Sequence, residues 1–335
     1  MMKLYPWHQA LFSRLMASRQ RMPHALLLQG RAGIGKLDFA TLLAQSLLCE
    51  QSAPGQLACG SCQSCGWFAQ ANHPDFRLLQ PEEGDSGAEE EGAASKTAKK
   101  TQIAVDQVRE LAEFLGLSSH RSGLHIVLLH PAEALNQASA NALLKMLEEP
   151  PPSVLFLLVS HQPQRLLPTI RSRCSKLDMP LPPRQEAEAW LTAQGVGNAA
   201  MRLASTGGAP LLALQLDDEA ARRQAELQRL LGQGGRMDPF AAGALCVRAG
   251  VAEAVDMLQK WVYDLFSQQL TGRNRYQAEP SNSLLQLAAS TDTARLLDFQ
   301  RKLDEARRLA QHPLNAELQL EGLMLQYTQL FPAKT

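Results

Sequence analysis

Residues 30–37 of this chain read GRAGIGKL, and they carry the strongest structural signal in the first half of the protein. The apolar run at residues 24–29 precedes it, and apolar residues recur with helical spacing after Lys36. The pattern predicts a strand, a glycine turn and a helix, the arrangement in which backbone N–H groups and a helix N-terminus surround phosphate groups. Four residues have the spacing of such a phosphate-binding loop: Gly30, Gly33, Gly35 and Lys36.

The residue after the lysine departs from this pattern. A serine or threonine hydroxyl at that position ligates Mg²⁺ in nucleotide-hydrolysing enzymes. Leu37 occupies the position here and offers no ligand atom. We therefore expect no Mg²⁺ at the loop, and the loss leaves ATP binding doubtful although Lys36 is retained. The alternative interpretation is a glycine-rich turn that binds nothing.

Composition limits the remaining possibilities. A chain of 335 residues with 45% hydrophobic residues is long enough for two or three domains with apolar cores. Lys+Arg and Asp+Glu are equal at 33 each, which gives no overall electrostatic reason to expect strong binding to nucleic acid. The N-terminus lacks a signal-peptide pattern, and no apolar run approaches the ~18 residues of a membrane span. We expect a cytoplasmic protein with no membrane contact.

Four of the six cysteines lie close together in the spacing C-x9-C-x2-C-x2-C. Close cysteine pairs in a reducing compartment are typical of metal or redox sites. Four thiolates at this spacing suit a tetrahedral Zn²⁺ with no open coordination position, which predicts a structural zinc module at residues 49–65. The alternative is a set of free buried thiols. The four predicted ligands are Cys49, Cys59, Cys62 and Cys65.

Further strands and helices alternate up to residue 179, which predicts a parallel α/β sheet. A charged, apolar-poor segment at residues 81–101 is predicted to be a mobile surface loop. The apolar strand at residues 125–129 is followed by His130 and Pro131, where nucleotide-hydrolysing enzymes carry an aspartate for Mg²⁺ and a catalytic glutamate. Glu133 lies nearby but is displaced along the chain. Neither acidic group is therefore in place.

Several motifs in this order resemble the clamp-loader branch of the AAA+ ATPases. They are the loop at residues 30–36, the cysteine insert, the segment NALLKMLEEPP at residues 141–151, and Ser-Arg-Cys at residues 172–174. The resemblance implies an AAA+ RecA-like sheet domain with a zinc insert at residues 1–179, followed by two all-α domains. These are a small helical lid domain at residues 180–234 and a helical collar domain for oligomerisation at residues 235–335.

The resemblance also assigns roles to single residues. In this family the arginine of Ser-Arg-Cys is a finger that reaches the nucleotide of a neighbouring subunit, which implies that role for Arg173. A guanidinium supplied in this way stabilises the charge on a transferring γ-phosphate. From residue type alone, a surface or core-capping ion pair is the favoured interpretation of Arg173, and the motif context reverses that preference. Pro210 lies roughly where family members carry the arginine of a lid sensor, so a third part of the ATPase site is missing.

The implied function is that of a non-hydrolysing subunit of the bacterial DNA polymerase III clamp loader, which helps load a sliding clamp onto primed DNA during replication. The implied partners are the tau/gamma and delta subunits and, through the complex, the clamp and the DNA. Two alternatives remain. One is an active AAA+ ATPase in which Glu133 and a metal held by the backbone substitute for the missing groups, and the other is a zinc-bearing protein that binds nucleic acid.

Overall fold

A computed structural model describes residues 4–53, 55–81, 102–116, 123–279, 281–310 and 315–331. The chain divides into two units, Met1–Glu186 and Ala187–Thr335. Apart from its first residue, the loop expected at residues 81–101 lies outside the described residues.

A five-stranded parallel sheet forms the centre of the first unit, in the order β2-β3-β4-β1-β5. Leu27 of β1 lies opposite Leu158 of β4 on one side and Lys176 of β5 on the other. The five strands are β1 (Ala25–Gln29), β2 (Phe76–Leu79), β3 (His125–Leu129), β4 (Val154–Ser160) and β5 (Ser175–Asp178).

Helices cover both faces of this sheet. Alternate residues of a strand point to opposite faces, so each central strand contributes to two separate cores. Leu27 and Phe156 belong to one core and Leu26 and Leu157 to the other. The first core is closed by α4 (Val105–Gly116), α5 (Gln137–Glu148) and α6 (Pro168–Arg173). The second is closed by α1 (Gln9–Ala17) and α2 (Lys36–Leu48). A short helix, α3 (Gln63–Ala69), lies in the cysteine insert.

The described part of the second unit consists of helices. A small apolar cluster joins the first of them around Leu191, Leu203 and Ala213. A larger cluster includes Trp261 and Tyr327. The helices are α7 (Arg184–Ala193, which begins at the boundary between the units), α8 (Ala199–Ser205), α9 (Pro210–Gln215), α10 (Asp218–Leu231), α11 (Pro239–Ala249), α12 (Val251–Thr271), α13 (Asn282–Ser290), α14 (Thr293–Leu309) and α15 (Ala316–Thr328).

The predicted fold class, a parallel α/β sheet followed by all-α structure, is confirmed by this architecture. The division into three domains stays a prediction. Its first boundary, at residue 179, falls a few residues before the division between the units. Near the second boundary, at residue 234, Leu227 and Leu231 of α10 already pack in the larger helical cluster. The end of α10 therefore shares its core with the segment predicted to be the collar.

Candidate functional site

The glycine loop joins β1 to α2 at the carboxyl edge of the sheet, where β1 lies between β4 and β5. Open parallel sheets bind ligands at this edge. Gly33 and Gly35 have φ angles of 77° and 88°, in the left-handed region that favours glycine. Gly35 directly precedes α2, and its conformation turns the chain from the loop into the helix. The predicted loop residues Gly30, Gly33, Gly35 and Lys36 thus lie together in one strand-to-helix turn.

Lys36 is folded onto its own loop. Its side-chain Nζ donates a hydrogen bond of 2.7 Å to the carbonyl oxygen of Gly30 and another to that of Arg31. The residue is only 2% exposed. Burial lowers the pKa of Lys36 to about 8, and the nearby charge of Glu133 partly opposes this effect. An ammonium group held by two carbonyls of the loop is not extended toward a phosphate position.

Aromatic residues near the N-terminus cover the same loop. The Trp7 indole Nε1 donates to the carbonyl oxygen of Ile34 at 3.0 Å, and the Tyr5 hydroxyl donates to Asp38 Oδ2 at 2.7 Å. The two aromatic rings stack with centroids 5.0 Å apart. A methyl group built on Gly35 would lie 2.4 Å from the Tyr5 ring, so this ring is packed directly against the turn.

Leu37 occupies the position at which an active enzyme carries a hydroxyl ligand for Mg²⁺, and its side chain contacts apolar residues instead. Leu37 is partly buried and packs against the core that α1 and α2 close on the sheet. The side chain that replaces the hydroxyl is therefore used for packing.

Two histidines face each other at the ends of β3 and β4. His130 Nε2 and His161 Nε2 are 3.2 Å apart, and the side-chain nitrogen of Gln80 lies 3.3 Å from His130 Nδ1. Burial lowers the pKa of His130, and burial followed by the charge of Lys36 lowers the pKa of His161 to about 4. Neutral imidazoles thus occupy the edge of the sheet where Mg²⁺-dependent enzymes place acidic groups.

Glu133 uses one carboxylate oxygen to hold the chain after β4. Its Oε1 accepts hydrogen bonds from the backbone N–H groups of His161 at 2.9 Å and Gln162 at 3.1 Å. The other oxygen, Oε2, is buried without a hydrogen-bond partner among the described residues. These contacts make Glu133 a brace between the segments that follow β3 and β4.

The four cysteines converge as the spacing predicts. Their sulfur atoms all lie within 4.8 Å of one another. Cys49 and Cys62 are 3.9 Å apart and Cys59 and Cys65 are 4.0 Å apart, close to the ~3.8 Å edge of a tetrahedron with Zn–S bonds of ~2.3 Å. Backbone N–H groups of Ser61 and Cys62 point at Cys59 Sγ and lower its pKa to about 6. The donor set fits a metal that binds four thiolates.

A series of hydrogen bonds, which the sequence did not predict, attaches this insert to the sheet domain. The Ser64 hydroxyl donates to the carbonyl oxygen of Leu48 at 2.7 Å and lies 2.8 Å from His73 Nε2. His73 Nδ1 accepts from the backbone N–H of Asp75 at 3.0 Å, which leaves the proton on Nε2 to be donated to Ser64. Each residue of the series is buried, and these hydrogen bonds link α2, α3 and the start of β2.

Arg173 lies apart from the loop in the sequence, at the end of α6, with about a third of its side chain exposed. Its Nη1 donates to the carbonyl oxygen of Thr169 at 3.1 Å, and its Nη2 lies 2.5 Å from Glu148 Oε1. Glu148 was not predicted as a site residue, although it lies in the segment at residues 141–151. The sequence signal that could have pointed to Glu148 is an acidic residue at the C-terminus of a helix, two residues before Pro150.

A glycine turn between a parallel strand and a helix, with its lysine retained, defines a protein of the phosphate-loop α/β class. Comparisons of the sequence narrow this class. The profile of the family described as "DNA polymerase III, delta subunit" matches residues 8–182, and that of "DNA polymerase III, delta subunit, C terminal" matches residues 217–329. The chain belongs to the family of DNA polymerase III delta' subunits.

Individual relatives agree with this assignment. The DNA polymerase III subunit delta' of Pseudomonas aeruginosa is 36% identical and covers 98% of this chain and 99% of its own length. The subunit delta' of Haemophilus influenzae is 29% identical and covers 99% of each chain. That of Escherichia coli K12 is 38% identical over 66% of this chain and 64% of its own length.

Within the described residues, no helix is long and apolar enough to cross a membrane.

Proposed function

We propose that this chain is a non-hydrolysing subunit of the DNA polymerase III clamp loader. In this role it helps load the sliding clamp onto primed DNA and supplies Arg173 to the nucleotide site of a neighbouring ATPase subunit. The observation that carries the proposal is the state of Lys36, whose ammonium group is buried on the carbonyls of its own loop. Arg173, in contrast, is partly exposed at the end of a helix.

Four further features support the absence of hydrolysis by this chain. Leu37 packs into the core, neutral histidines stand at the end of β3 and β4, Tyr5 lies against Gly35, and Pro210 begins a helix where the lid sensor is expected. Leu37 stands in place of a Mg²⁺ ligand, His130 in place of an acidic group and Pro210 roughly in place of the sensor arginine, while Tyr5 covers the loop.

The alternative of an active ATPase needs Glu133 to act as a base or metal ligand. One of its oxygens is already engaged by two backbone N–H groups. The alternative of a nucleic-acid-binding zinc protein receives no support from the net charge of zero. Both alternatives therefore rank below the clamp-loader assignment.

The metal in this proposal is a structural zinc held by Cys49, Cys59, Cys62 and Cys65. The sulfur positions leave no ligand position open when all four bind, so the ion orders the insert and takes no part in hydrolysis. The proposed partners are the tau/gamma and delta subunits, and the proposed location is the cytoplasm.

The arginine finger is tested in an assembled complex of this chain with its ATPase subunits. All ATPase sites except the one that faces this chain are inactivated by substitution of their phosphate-loop lysines. Arg173→Ala is expected to lower DNA-stimulated ATP turnover at the remaining site by about 10³-fold or more, the range of arginine fingers. Arg165→Ala, on the exposed surface of the same unit, is the matched control and is expected to have no effect. Unchanged turnover with Arg173→Ala would refute the finger.

The absence of intrinsic hydrolysis is tested on the isolated chain. We expect no Mg²⁺-dependent release of phosphate from ATP above the background of a buffer blank. Turnover above that background that disappears with Lys36→Ala would favour the divergent ATPase instead.

A further inference from the structure

The ion pair between Glu148 and Arg173 joins the ends of two neighbouring helices. Glu148 is the last residue of α5 and Arg173 the last residue of α6. Both helices are anchored beside the pair, because Leu147 and Cys174 are buried in the same core. The packing of the two helix ends therefore holds the two charged groups close together.

The location of Glu148 is unfavourable for helix stability. The C-terminus of a helix carries a partial negative charge, which disfavours a carboxylate there and favours a cation. α5 nevertheless ends in Glu148 and is followed by Glu149, with Pro150 preventing its continuation. Arg173 supplies a cation that offsets the charge of Glu148, with its Nη2 2.5 Å from Glu148 Oε1.

The contacts of Arg173 fix the direction of its guanidinium group. Glu148 binds one terminal nitrogen and the carbonyl oxygen of Thr169 binds the other. The guanidinium group has five N–H donors, and each of these two contacts uses one of them. About a third of the Arg173 side chain remains exposed, so donors are left for an anionic group from outside the chain.

We propose that Glu148 is a positioning residue for Arg173, which holds the guanidinium group in the orientation that a neighbouring subunit's triphosphate requires. This inference rests on the proposed function of Arg173. A catalytic group that is held in place by a supporting contact loses less freedom when it engages its target. Glu148 is about half exposed, and an ion pair this exposed is too weak to withhold Arg173 from a triphosphate.

The test uses the assembled complex with a single active ATPase site facing this chain. Glu148→Ala is expected to lower kcat for DNA-stimulated ATP turnover by about 3- to 10-fold and to leave KM for ATP within about twofold. Glu148→Gln, which keeps an acceptor oxygen for the guanidinium group, is expected to retain more activity than Glu148→Ala. Glu149→Ala is the matched control, an exposed glutamate one residue away, and is expected to equal the wild-type chain.

A double variant separates positioning from a general structural effect. If Glu148 acts through Arg173, then Glu148→Ala lowers turnover no further once Arg173→Ala is present. A further fall in the double variant, or an unchanged or raised kcat for Glu148→Ala alone, would overturn the inference while leaving the finger intact. No effect of Arg173→Ala itself would overturn the proposed function and this inference with it.

Discussion

The Tyr5 ring lies so close to Gly35 that a Cβ atom at residue 35 would be 2.4 Å from the ring. The same glycine has a φ of 88°, so any side chain there meets both a steric and a conformational obstacle. The glycine loop and the segment that covers it are therefore built as one packed unit.

This relationship predicts the stability of a pair of variants. Gly35→Ala should lower the free energy of unfolding by about 2–4 kcal/mol, through backbone strain together with overpacking against Tyr5. Gly123→Ala is the control, because Gly123 has a φ of 66° but no described atom lies within 4 Å of the added methyl group; it should cost only about 1 kcal/mol. Urea unfolding curves measure both. Equal losses for the two variants would contradict the proposed clash.

A buried hydroxyl joins three helices of the second unit. Trp261 Nε1 donates to the Tyr327 hydroxyl at 2.7 Å, and that hydroxyl donates to the carbonyl oxygen of Leu231 at 2.7 Å. Tyr327 is fully buried, and burial raises the pKa of its hydroxyl far above its usual value, so the group stays protonated.

Tyr327→Phe should therefore destabilise the protein by about 1–3 kcal/mol, because Trp261 Nε1 and the Leu231 carbonyl are both left without their partner. Tyr263→Phe is the control, since Tyr263 is 44% exposed, and should change the free energy of unfolding by less than about 0.5 kcal/mol. Tryptophan fluorescence during urea unfolding follows the transition. Similar losses for the two variants would show that the hydroxyl bonds contribute little.

The cysteine cluster predicts one zinc ion per chain. Cys62→Ser should remove that ion and loosen the insert, because a tetrahedral thiolate site loses one of its four ligands. Cys246→Ser is the matched control, since Cys246 is a buried cysteine of the second unit and should leave the zinc content unchanged. Atomic absorption of the purified chains measures the metal. Wild-type protein that copurifies with no metal would count against the site.

The sequence was sufficient for the parts of the fold with strong local signals. β1, β3 and β4 are nearly uninterrupted apolar runs, as strands buried on both faces must be. β5 was not predicted, because it is a four-residue edge strand in which only Leu177 is buried. Its place in the sheet is set by pairing with β1, which no short pattern reveals.

The candidate site likewise contains residues that the sequence predicted and contacts that it did not. The glycine loop and the cysteines were predicted because their residues follow one another at fixed spacings. The hydrogen bond of Tyr5 with Asp38 joins residues 33 apart in the chain, and the contact of His130 with His161 joins residues 31 apart. Contacts of that range depend on how strands and helices pack, so the cover of the loop and the histidine pair became visible only in the structure.

A buried histidine near the loop predicts acid sensitivity. His8 is 3% exposed, and neither of its ring nitrogens has a hydrogen-bond partner in the part of the chain that the structure describes. Burial, followed by the charge of Lys36, lowers its pKa to about 4. Between about pH 6.5 and pH 4 the unfolded chain binds a proton at this residue that the folded chain does not, so stability falls as the pH falls through that window.

His8→Phe should reduce this loss, because phenylalanine keeps the edge-on aromatic contact with Phe39 and has no proton to bind. We expect the difference in unfolding free energy between pH 7 and pH 4.5 to shrink by on the order of 1–2 kcal/mol. Some acid sensitivity should remain, since His130 and His161 also have lowered pKa values. Urea unfolding at a series of pH values provides the slope. A variant with the same pH slope as the wild-type chain would show that folding does not lower the pKa of His8.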